Sequence, residues 1–183
     1  MSNKENKVIV CLGDSITHGY PYGPQESWVK MLAETTGYEF INQGINGNTT
    51  ENMLNRFNRS VLRYKPTHLL ISGGINDVLM RDTFAQTTNN IIKMHKKAKE
   101  HNIKVIFGLP TPVAYPEFEA MLKKLRTWMI EYAIKNNIKV IDFSRAFYDE
   151  SNNLRRELLL PDGGHPTREG YKAIFSVIDL EIF

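Results

Sequence analysis

Short apolar runs alternate along this chain with longer segments in which apolar residues recur every three or four positions. The short runs are rich in β-branched residues and have the length of strands, and they cover residues 7–12, 38–42, 68–72, 103–109 and 138–143. Strands covered on both faces read as nearly continuous hydrophobic runs, which is typical of parallel sheets. The pattern therefore predicts a parallel sheet of five strands.

The longer segments have the length and the ends of helices, and they cover residues 26–37, 49–64, 83–102 and 118–136. The first ends on Gly37, and the second stops before Pro66. The third opens with Thr83 and Gln86 at the spacing of a capping box. Core packing is predicted for one face of the fourth, which carries Met121, Leu122, Leu125, Trp128, Met129 and Tyr132. A last helix is predicted after Pro166.

This alternation predicts right-handed crossovers and a three-layer α/β/α sandwich around the five-stranded parallel sheet. A length of 183 residues with 42% hydrophobic content suits one domain with a full core. No linker, repeat or low-complexity tract interrupts the pattern, so we expect one domain over residues 1–183. The single cysteine, Cys11, lies within the first apolar run and is expected to be buried there.

Charge and hydropathy exclude several classes of partner. The formal net charge of +3 gives only a weak field, without the clustered basic stripe that nucleic-acid binding needs, so no nucleic-acid partner is expected. No apolar stretch is long enough to span a bilayer, and the charged N-terminal sequence lacks the apolar core of a signal peptide. A cytoplasmic protein without membrane insertion is therefore predicted, although a removed signal sequence would leave no trace. The oligomeric state is left open.

Polar residues follow each predicted strand, at the edge where open parallel sheets bind ligands. They lie in the sequences GDSIT (13–17), QGINGNTT (43–50), GGIND (73–77), PTPVAYP (110–116) and, after a longer excursion, PDGGHP (161–166). Taken singly, each has an ordinary explanation, since glycine and asparagine form turns and Asp14 or Ser15 could cap a helix. Together they supply what acyl transfer needs: a nucleophile, a base, a group that orients the base, and donors for an oxyanion.

The PDGGH sequence carries the clearest chemical pattern. Asp162 and His165 lie three positions apart, and the two glycines between them can form a tight turn that lets the carboxylate reach the imidazole. Such a pair supplies a base and the anion that stabilises the base once it is protonated. No metal and no cofactor are expected, because no metal-ligand spacing is shared by the other histidines, His18, His68, His95 and His101.

The sequence resembles the SGNH hydrolases, also called the GDSL family of lipases and esterases. The resemblance runs through GDSIT (13–17), NQGINGNTT (42–50), GIND (74–77) and DGGHP (162–166), in the family's order, and covers nearly the whole chain. It implies a flavodoxin-like α/β/α fold. It also implies that Ser15 is the nucleophile, His165 the base and Asp162 the group that orients the base.

By the same resemblance, the oxyanion hole comprises the backbone amides of Ser15 and Gly44 together with the side chain of Asn76. Gly47 lies in the same loop as Gly44 and could present its amide instead, although Gly44 fits the motif better. Two aspartates next to these residues are expected to be structural. We expect Asp14 to brace the turn at Ser15, and Asp77 to hydrogen-bond the loop around Asn76.

These roles predict a serine esterase or acylhydrolase that cleaves small or short-chain carboxylic esters through an acyl-enzyme. The candidate pocket walls are residues 20–24 and 110–116. Lysophospholipase or acyl-thioesterase activity on longer chains and carbohydrate O-acetyl esterase activity are alternatives, since members of the family cleave all of these substrates.

Two alternatives without esterase activity are a flavodoxin-like nucleotide-binding module and an inactive relative. The first lacks a phosphate-binding glycine motif, because GDSIT matches neither GxxxxGK[ST] nor GxGxxG. The second conflicts with the presence of every residue that the chemistry requires. An ordinary α/β-hydrolase is excluded because no GxSxG sequence occurs.

Overall fold

The computed structural model describes residues 7–183, and the first six residues of the predicted domain lie outside them. Its sheet is built from β1 (Val8–Gly13), β2 (Glu39–Gly44), β3 (His68–Ser72), β4 (Lys104–Leu109) and β5 (Lys139–Asp142). The strand order is β2-β1-β3-β4-β5, and every neighbouring pair is parallel. The predicted five-stranded parallel sheet is confirmed, with strand ends within two residues of the predicted ones.

The helices of the described residues are α1 (Ser15–His18), α2 (Trp28–Thr36), α3 (Thr50–Asn55), α4 (Phe57–Ser60), α5 (Ile75–Leu79), α6 (Phe84–Glu100), α7 (Pro116–Asn136) and α8 (Arg168–Ser176). Short 3-10 turns cover Pro24–Glu26, Leu62–Tyr64, Phe143–Phe147, Arg156–Leu158 and Leu180–Ile182. Gly37 ends α2, and the predicted capping box of Thr83 and Gln86 opens α6. None of these helices is long and apolar enough to cross a membrane.

The helix predicted over residues 49–64 is wrong in one respect, because the chain bends within it. Arg56 leaves helical geometry, with φ −96° and ψ 6°, and divides the segment into α3, α4 and the 3-10 turn Leu62–Tyr64. Its guanidinium reaches the backbone carbonyls of Gly13 and Gln43 in the sheet. Apolar periodicity cannot register such a bend, since these two carbonyl partners of Arg56 lie in distant strands.

An apolar layer lies on each face of the sheet and completes the α/β/α sandwich. Helices α2 and α8 cover one face through Trp28, Leu32, Tyr171 and Ile174, which pack with Phe143. Helices α3, α4, α6 and α7 cover the other through Met53, Phe57, Ile91, Met94, Leu125 and Met129. Cys11 is buried in β1, as expected.

The predicted apolar face of α7 is confirmed except at one end. Leu122, Leu125 and Met129 are buried, and Trp128 and Tyr132 pack half-buried against the core. Met121, however, is 40% exposed, so core packing was the wrong prediction there. It precedes Leu122 by about 100° around the helix axis and falls outside the buried stripe.

The strand order determines where a ligand can bind. Chain connections leave β1 toward β2 on one side and continue from β3 to β5 on the other, which creates a switch point between β1 and β3. Parallel sheets of this kind bind ligands in the crevice beyond the carboxyl ends of the strands at that point. The loops after Gly13 and Ser72 flank this crevice.

Candidate active site

Ser15 lies directly beyond β1, at the first position of the short helix α1. Asp14 caps this helix, because its Oδ1 accepts a hydrogen bond of 2.9 Å from the amide of Ile16. The expected bracing role of Asp14 is therefore present in the structure. Ser15 is only 6% exposed, so its hydroxyl lies at the base of a pocket and is sheltered from bulk solvent.

His165 and Asp162 complete a chain of hydrogen bonds that begins at the hydroxyl of Ser15. Ser15 Oγ lies 3.0 Å from His165 Nε2, although the two residues are 150 positions apart. On the other side of the ring, His165 Nδ1 lies 2.7 Å from Asp162 Oδ2. The structure thus brings together all three residues that the sequence predicted as nucleophile, base and orienting group.

A tight turn holds the Asp162 carboxylate in place. Its Oδ1 accepts hydrogen bonds from the amides of Gly164 and His165, at 2.9 and 3.0 Å. Gly163 adopts the left-handed φ of 71° that this turn requires and that glycine allows at little cost. Desolvation raises the pKa of Asp162, but the amides and the His165 ring outweigh it and bring the pKa below its ordinary value. The carboxylate therefore stays anionic beside the imidazole.

Asp14 is a second carboxyl group close to the histidine, in a different environment. Burial raises the pKa of Asp14 to about 6, although the amide of Ile16 and the charge of His165 partly oppose the increase. The charge of Asp77 adds to it. Asp14 therefore differs from Asp162, whose turn favours the charged form.

The two loop glycines differ in the availability of their amides. The amide of Gly44 donates to Asn42 Oδ1 at 2.9 Å, so it already has an acceptor, which does not fit the predicted oxyanion role. Gly44 instead allows close packing, because any side chain there would collide with the backbone of His18. Within residues 7–183 the amides of Gly47 and Ser15 have no hydrogen-bond acceptor.

Asn76 lies in α5, on the far side of the same crevice. Its Nδ2 donates to the carbonyl of Asn48 at 2.9 Å, which ties the amide group to the loop that contains Gly47. An amide nitrogen carries two N–H donors, so one remains for another acceptor. The neighbouring Asp77 accepts from the amide of Thr50 at 3.0 Å and from its hydroxyl, instead of bonding the loop around Asn76. It joins α5 to the start of α3.

A pocket of about 200 Å³ opens in front of Ser15. Its apolar lining consists of Ile16, Ile75, Leu79, Val113 and Tyr115. The predicted wall at residues 110–116 thus contributes two side chains, whereas residues 20–24 do not line the pocket. Tyr20 instead packs its ring against that of His165, with centroids 4.6 Å apart.

Sequence reasoning missed the wall that α5 contributes. Ile75 and Leu79 lie four positions apart on this helix, on either side of the predicted Asn76. That spacing places both on one helix face, and it was readable from the sequence once the motif had been located. Among residues 7–183, no group of three or more histidine, cysteine, aspartate or glutamate side chains is arranged to hold a metal ion.

A larger cavity, of about 960 Å³, opens at the opposite edge of the sheet, and four lysines line it: Lys7, Lys99, Lys104 and Lys139. Lys7 and Lys139 donate to the carbonyls of Phe183 and Ile182. Lys99 lies in the last turn of α6, where positive charge offsets the helix dipole. Lys7 and Lys139 therefore have structural partners, and the chemically equipped pocket is the smaller one at Ser15.

Comparison with known proteins agrees with this geometry. The GDSL-like lipase/acylhydrolase family matches residues 11–173. A solved structure from Desulfitobacterium hafniense DCB-2, assigned to the lipolytic G-D-S-L family, is 30% identical; the match covers 97% of this chain and all of that one, with a TM-score of 0.89. An arylesterase of Vibrio mimicus is 24% identical over 99% of this chain and 90% of its own length.

A third similar protein is an acetylxylan esterase from Geobacillus stearothermophilus, solved as a catalytic mutant. It is 20% identical, and the match covers 93% of this chain and 91% of that one, with a TM-score of 0.80. At this identity the similarity concerns the fold alone.

Proposed function

Because this chain belongs to the GDSL-like lipase/acylhydrolase family and is an ester-cleaving hydrolase, we propose that it cleaves small, short-chain carboxylic esters through an acyl-enzyme formed on Ser15. The observation that carries the proposal is the chain of hydrogen bonds from Ser15 Oγ through His165 to Asp162, at 3.0 and 2.7 Å. Nucleotide binding by a flavodoxin-like module would not require this chain of hydrogen bonds.

In the proposed mechanism, His165 Nε2 takes the hydroxyl proton of Ser15 as Oγ attacks the carbonyl carbon of the ester. The tetrahedral intermediate collapses, the alcohol leaves with the proton that His165 returns, and the acyl group remains on Oγ. Water then attacks the acyl-enzyme with His165 as base, and the second tetrahedral intermediate releases the carboxylic acid as His165 returns the proton to Ser15 Oγ. Throughout, the anionic Asp162 orients the imidazole and stabilises its protonated form.

Negative charge develops on the carbonyl oxygen during both attacks, and it needs donors that already point at it. We assign these donors as the amides of Ser15 and Gly47 and the second N–H of Asn76 Nδ2. The first two have no acceptor within residues 7–183, and the third has one proton left over after bonding Asn48. Gly47 replaces Gly44 in this assignment because the amide of Gly44 is already satisfied.

The form of the pocket supports a short acyl chain. Its floor is made by the buried Ile16, Ile75 and Val113, and its outer wall by Leu79 and Tyr115, which are 42% and 48% exposed. A chain that outgrows about 200 Å³ would extend past these two residues into solvent. Further methylenes would then lose the gain of about 0.8 kcal/mol that each contributes when buried.

Hydrolysis of p-nitrophenyl esters from acetate to palmitate, each below its aggregation limit, tests both parts of the proposal. We expect kcat/KM to rise over the first few methylenes and then level off, and we expect mass spectrometry of the quenched enzyme to find the acyl group on Ser15. The Ser15→Ala variant is the blank. An optimum at about ten carbons or longer would instead favour the lysophospholipase or acyl-thioesterase alternative.

Carbohydrate O-acetyl esters form the other alternative substrate class. The pocket walls offer few hydrogen-bonding groups for a sugar, since apart from the proposed catalytic groups only Asp14 and Tyr115 bring polar side-chain atoms to them, and both bond backbone groups. We therefore expect acetate release from acetylated xylo-oligosaccharides to be slower than from p-nitrophenyl acetate. The cytoplasmic location and the single domain over residues 1–183 stay predictions.

A further inference from the structure

We propose that Arg56 is a positioning residue of the oxyanion hole, since its buried guanidinium holds together the chain segments that carry the three proposed donors. The inference rests on the proposed function, because it concerns the same reaction at Ser15. Arg56 itself touches neither the nucleophile nor the base. Its effect would be transmitted through the backbone and through Asn48.

Every nitrogen of the Arg56 side chain is bonded. Nη2 donates to the carbonyls of Gly13 and Gln43 at 2.9 and 2.8 Å. Nε donates to Asn48 Oδ1 at 2.7 Å, and Nη1 donates to Ser60 Oγ at 3.1 Å. Three of these four bonds reach the carboxyl ends of β1 and β2 or the loop after β2, and only the bond to Ser60 stays beside Arg56, in α4.

Each of those three bonds leads to a proposed oxyanion donor. Gly13 lies two residues before Ser15, so its carbonyl fixes the end of β1 from which the Ser15 amide projects. Gln43 and Asn48 flank the loop that contains Gly47. The carbonyl of Asn48 also accepts a hydrogen bond from Asn76 Nδ2, so Arg56 influences the position of the third donor through Asn48.

The environment of Arg56 makes a purely structural explanation costly. Arg56 is only 3% exposed, and within residues 7–183 it has neutral partners and no ion pair with a carboxylate. Burial lowers its pKa to about 10, aided by the nearby Arg59 and opposed by Asp14. A buried cation without an anion costs stability that an apolar residue would not.

The geometry of the guanidinium explains why an arginine occupies this buried position. Its planar fork presents several N–H donors in fixed directions, so one side chain can hold acceptors from separate segments at set distances. Lysine carries the same charge but lacks this planar arrangement of N–H donors. Oxyanion donors stabilise a transition state only when they are positioned before the charge develops, and small displacements reduce the rate strongly.

The test compares Arg56→Lys with the matched control Ser60→Ala, which removes only the bond that does not reach the oxyanion loops. With p-nitrophenyl acetate we expect Arg56→Lys to lower kcat about 10-fold or more with KM changed less than about 3-fold, and Ser60→Ala to stay within about 2-fold of wild type. A loss confined to KM, or an equal loss in both variants, would overturn the inference.

A double-mutant cycle separates positioning of the donors from general loosening. If Arg56 acts through the oxyanion hole, the fold-loss in kcat from Arg56→Lys should be smaller when Asn76→Ala has already removed one of the three donors, because the two changes then act on the same site. The same loss in both backgrounds would contradict the inference. If Arg56→Lys does not fold, Asn48→Ala, which removes only the acceptor of Nε, takes its place in the cycle with the same expectations at smaller amplitude.

The outcomes for the proposed function are separate. If wild-type protein hydrolyses no ester, or if hydrolysis persists in Ser15→Ala, the proposed function fails. If hydrolysis depends on Ser15 and Arg56→Lys matches wild type in kcat, only the role of Arg56 is refuted.

Discussion

The two sides of Ser15 are built in different ways. On the oxyanion side, long-range bonds join β1, β2, the loop after β2, α3 and α5, through Arg56, Asn76 and Asp77. On the base side, Asp162 and His165 belong to one short turn, and their side chains are 47% and 32% exposed. The proposed oxyanion donors are thus held by hydrogen bonds from several distant segments, whereas the proposed base belongs to one local turn and is accessible to water.

The base side has its own support, but it comes from a surface loop. Ala114 donates its amide to the Gly163 carbonyl at 2.7 Å, and the Tyr115 hydroxyl donates to the carbonyl of Asp162 at 3.0 Å. Behind this loop, Glu119 accepts from the amide of Val113 at 3.1 Å and pairs with the buried Arg126. Both sides thus depend on a buried arginine, but only Arg126 has a carboxylate partner.

The largest effect is expected on the base side. His165→Ala removes the group that takes the Ser15 proton, so kcat should fall at least about 1,000-fold, while the circular dichroism spectrum and melting temperature stay close to wild type. Steady-state hydrolysis of p-nitrophenyl acetate measures the effect, with Ser15→Ala as reference. A folded His165→Ala protein with near-normal turnover would remove His165 from the mechanism.

On the oxyanion side, Asn76→Ala should lower kcat on the order of 100- to 1,000-fold. The N–H that this substitution removes would bond the carbonyl oxygen of the substrate most strongly when negative charge develops on it in the transition state. KM should therefore change little. Full kinetic profiles of Asn76→Ala and Asn76→Asp measure this, since Asp fills the same space without an N–H. A loss seen only in KM would make Asn76 a substrate-binding residue instead.

For Asp14, we expect the effect to appear in the pH dependence of the free energy of unfolding. Its pKa in the folded state is about 6, above the ordinary 3.8, so the folded protein holds this proton more tightly and loses stability as pH rises from about 4 to about 6. The asparagine in the Asp14→Asn variant cannot ionise, so this variant does not lose that stability as the pH rises. At about 1.4 kcal/mol per pKa unit, the variant should gain up to about 3 kcal/mol relative to wild type above pH 6.

Urea unfolding of wild type and Asp14→Asn at about pH 4 and about pH 7.5 measures this difference. The amide oxygen of asparagine can still accept the bond from Ile16, which makes the substitution a matched one. If the difference in the free energy of unfolding between wild type and variant is the same at both pH values, folding does not raise the pKa of Asp14.

The smallest effect is expected where the base side meets solvent. Tyr115→Phe deletes the hydroxyl that donates to the Asp162 carbonyl but keeps the ring that lines the pocket. Because water can replace this bond, we expect a loss of about 0.5–1.5 kcal/mol in the free energy of unfolding and a change of kcat within about 3-fold. A loss of kcat as large as that of Asn76→Ala would mean that the base side is not the more tolerant one.

Local patterns in the sequence predicted the features that depend on neighbours along the chain. Continuous apolar runs identified the five strands, and the DGGH turn identified Asp162 and His165, because a pair three residues apart needs only its own loop to meet. The resemblance of four short blocks added Ser15 and Asn76, whose positions follow from where strands end.

Tertiary structure alone decided the features that depend on distant partners. The bend at Arg56, the satisfied amide of Gly44, the free amide of Gly47 and the raised pKa of Asp14 are invisible to hydrophobic periodicity. Arg56 and Asp14 are buried away from water, so each finds its partners, or lacks them, among residues brought together from other strands. The hydrogen bonding of the Gly44 and Gly47 amides depends on the folded conformation of their loop. The sequence by itself therefore determined the fold class and the candidate reactive residues, and the folded structure decided which candidate donors remain free and what holds them.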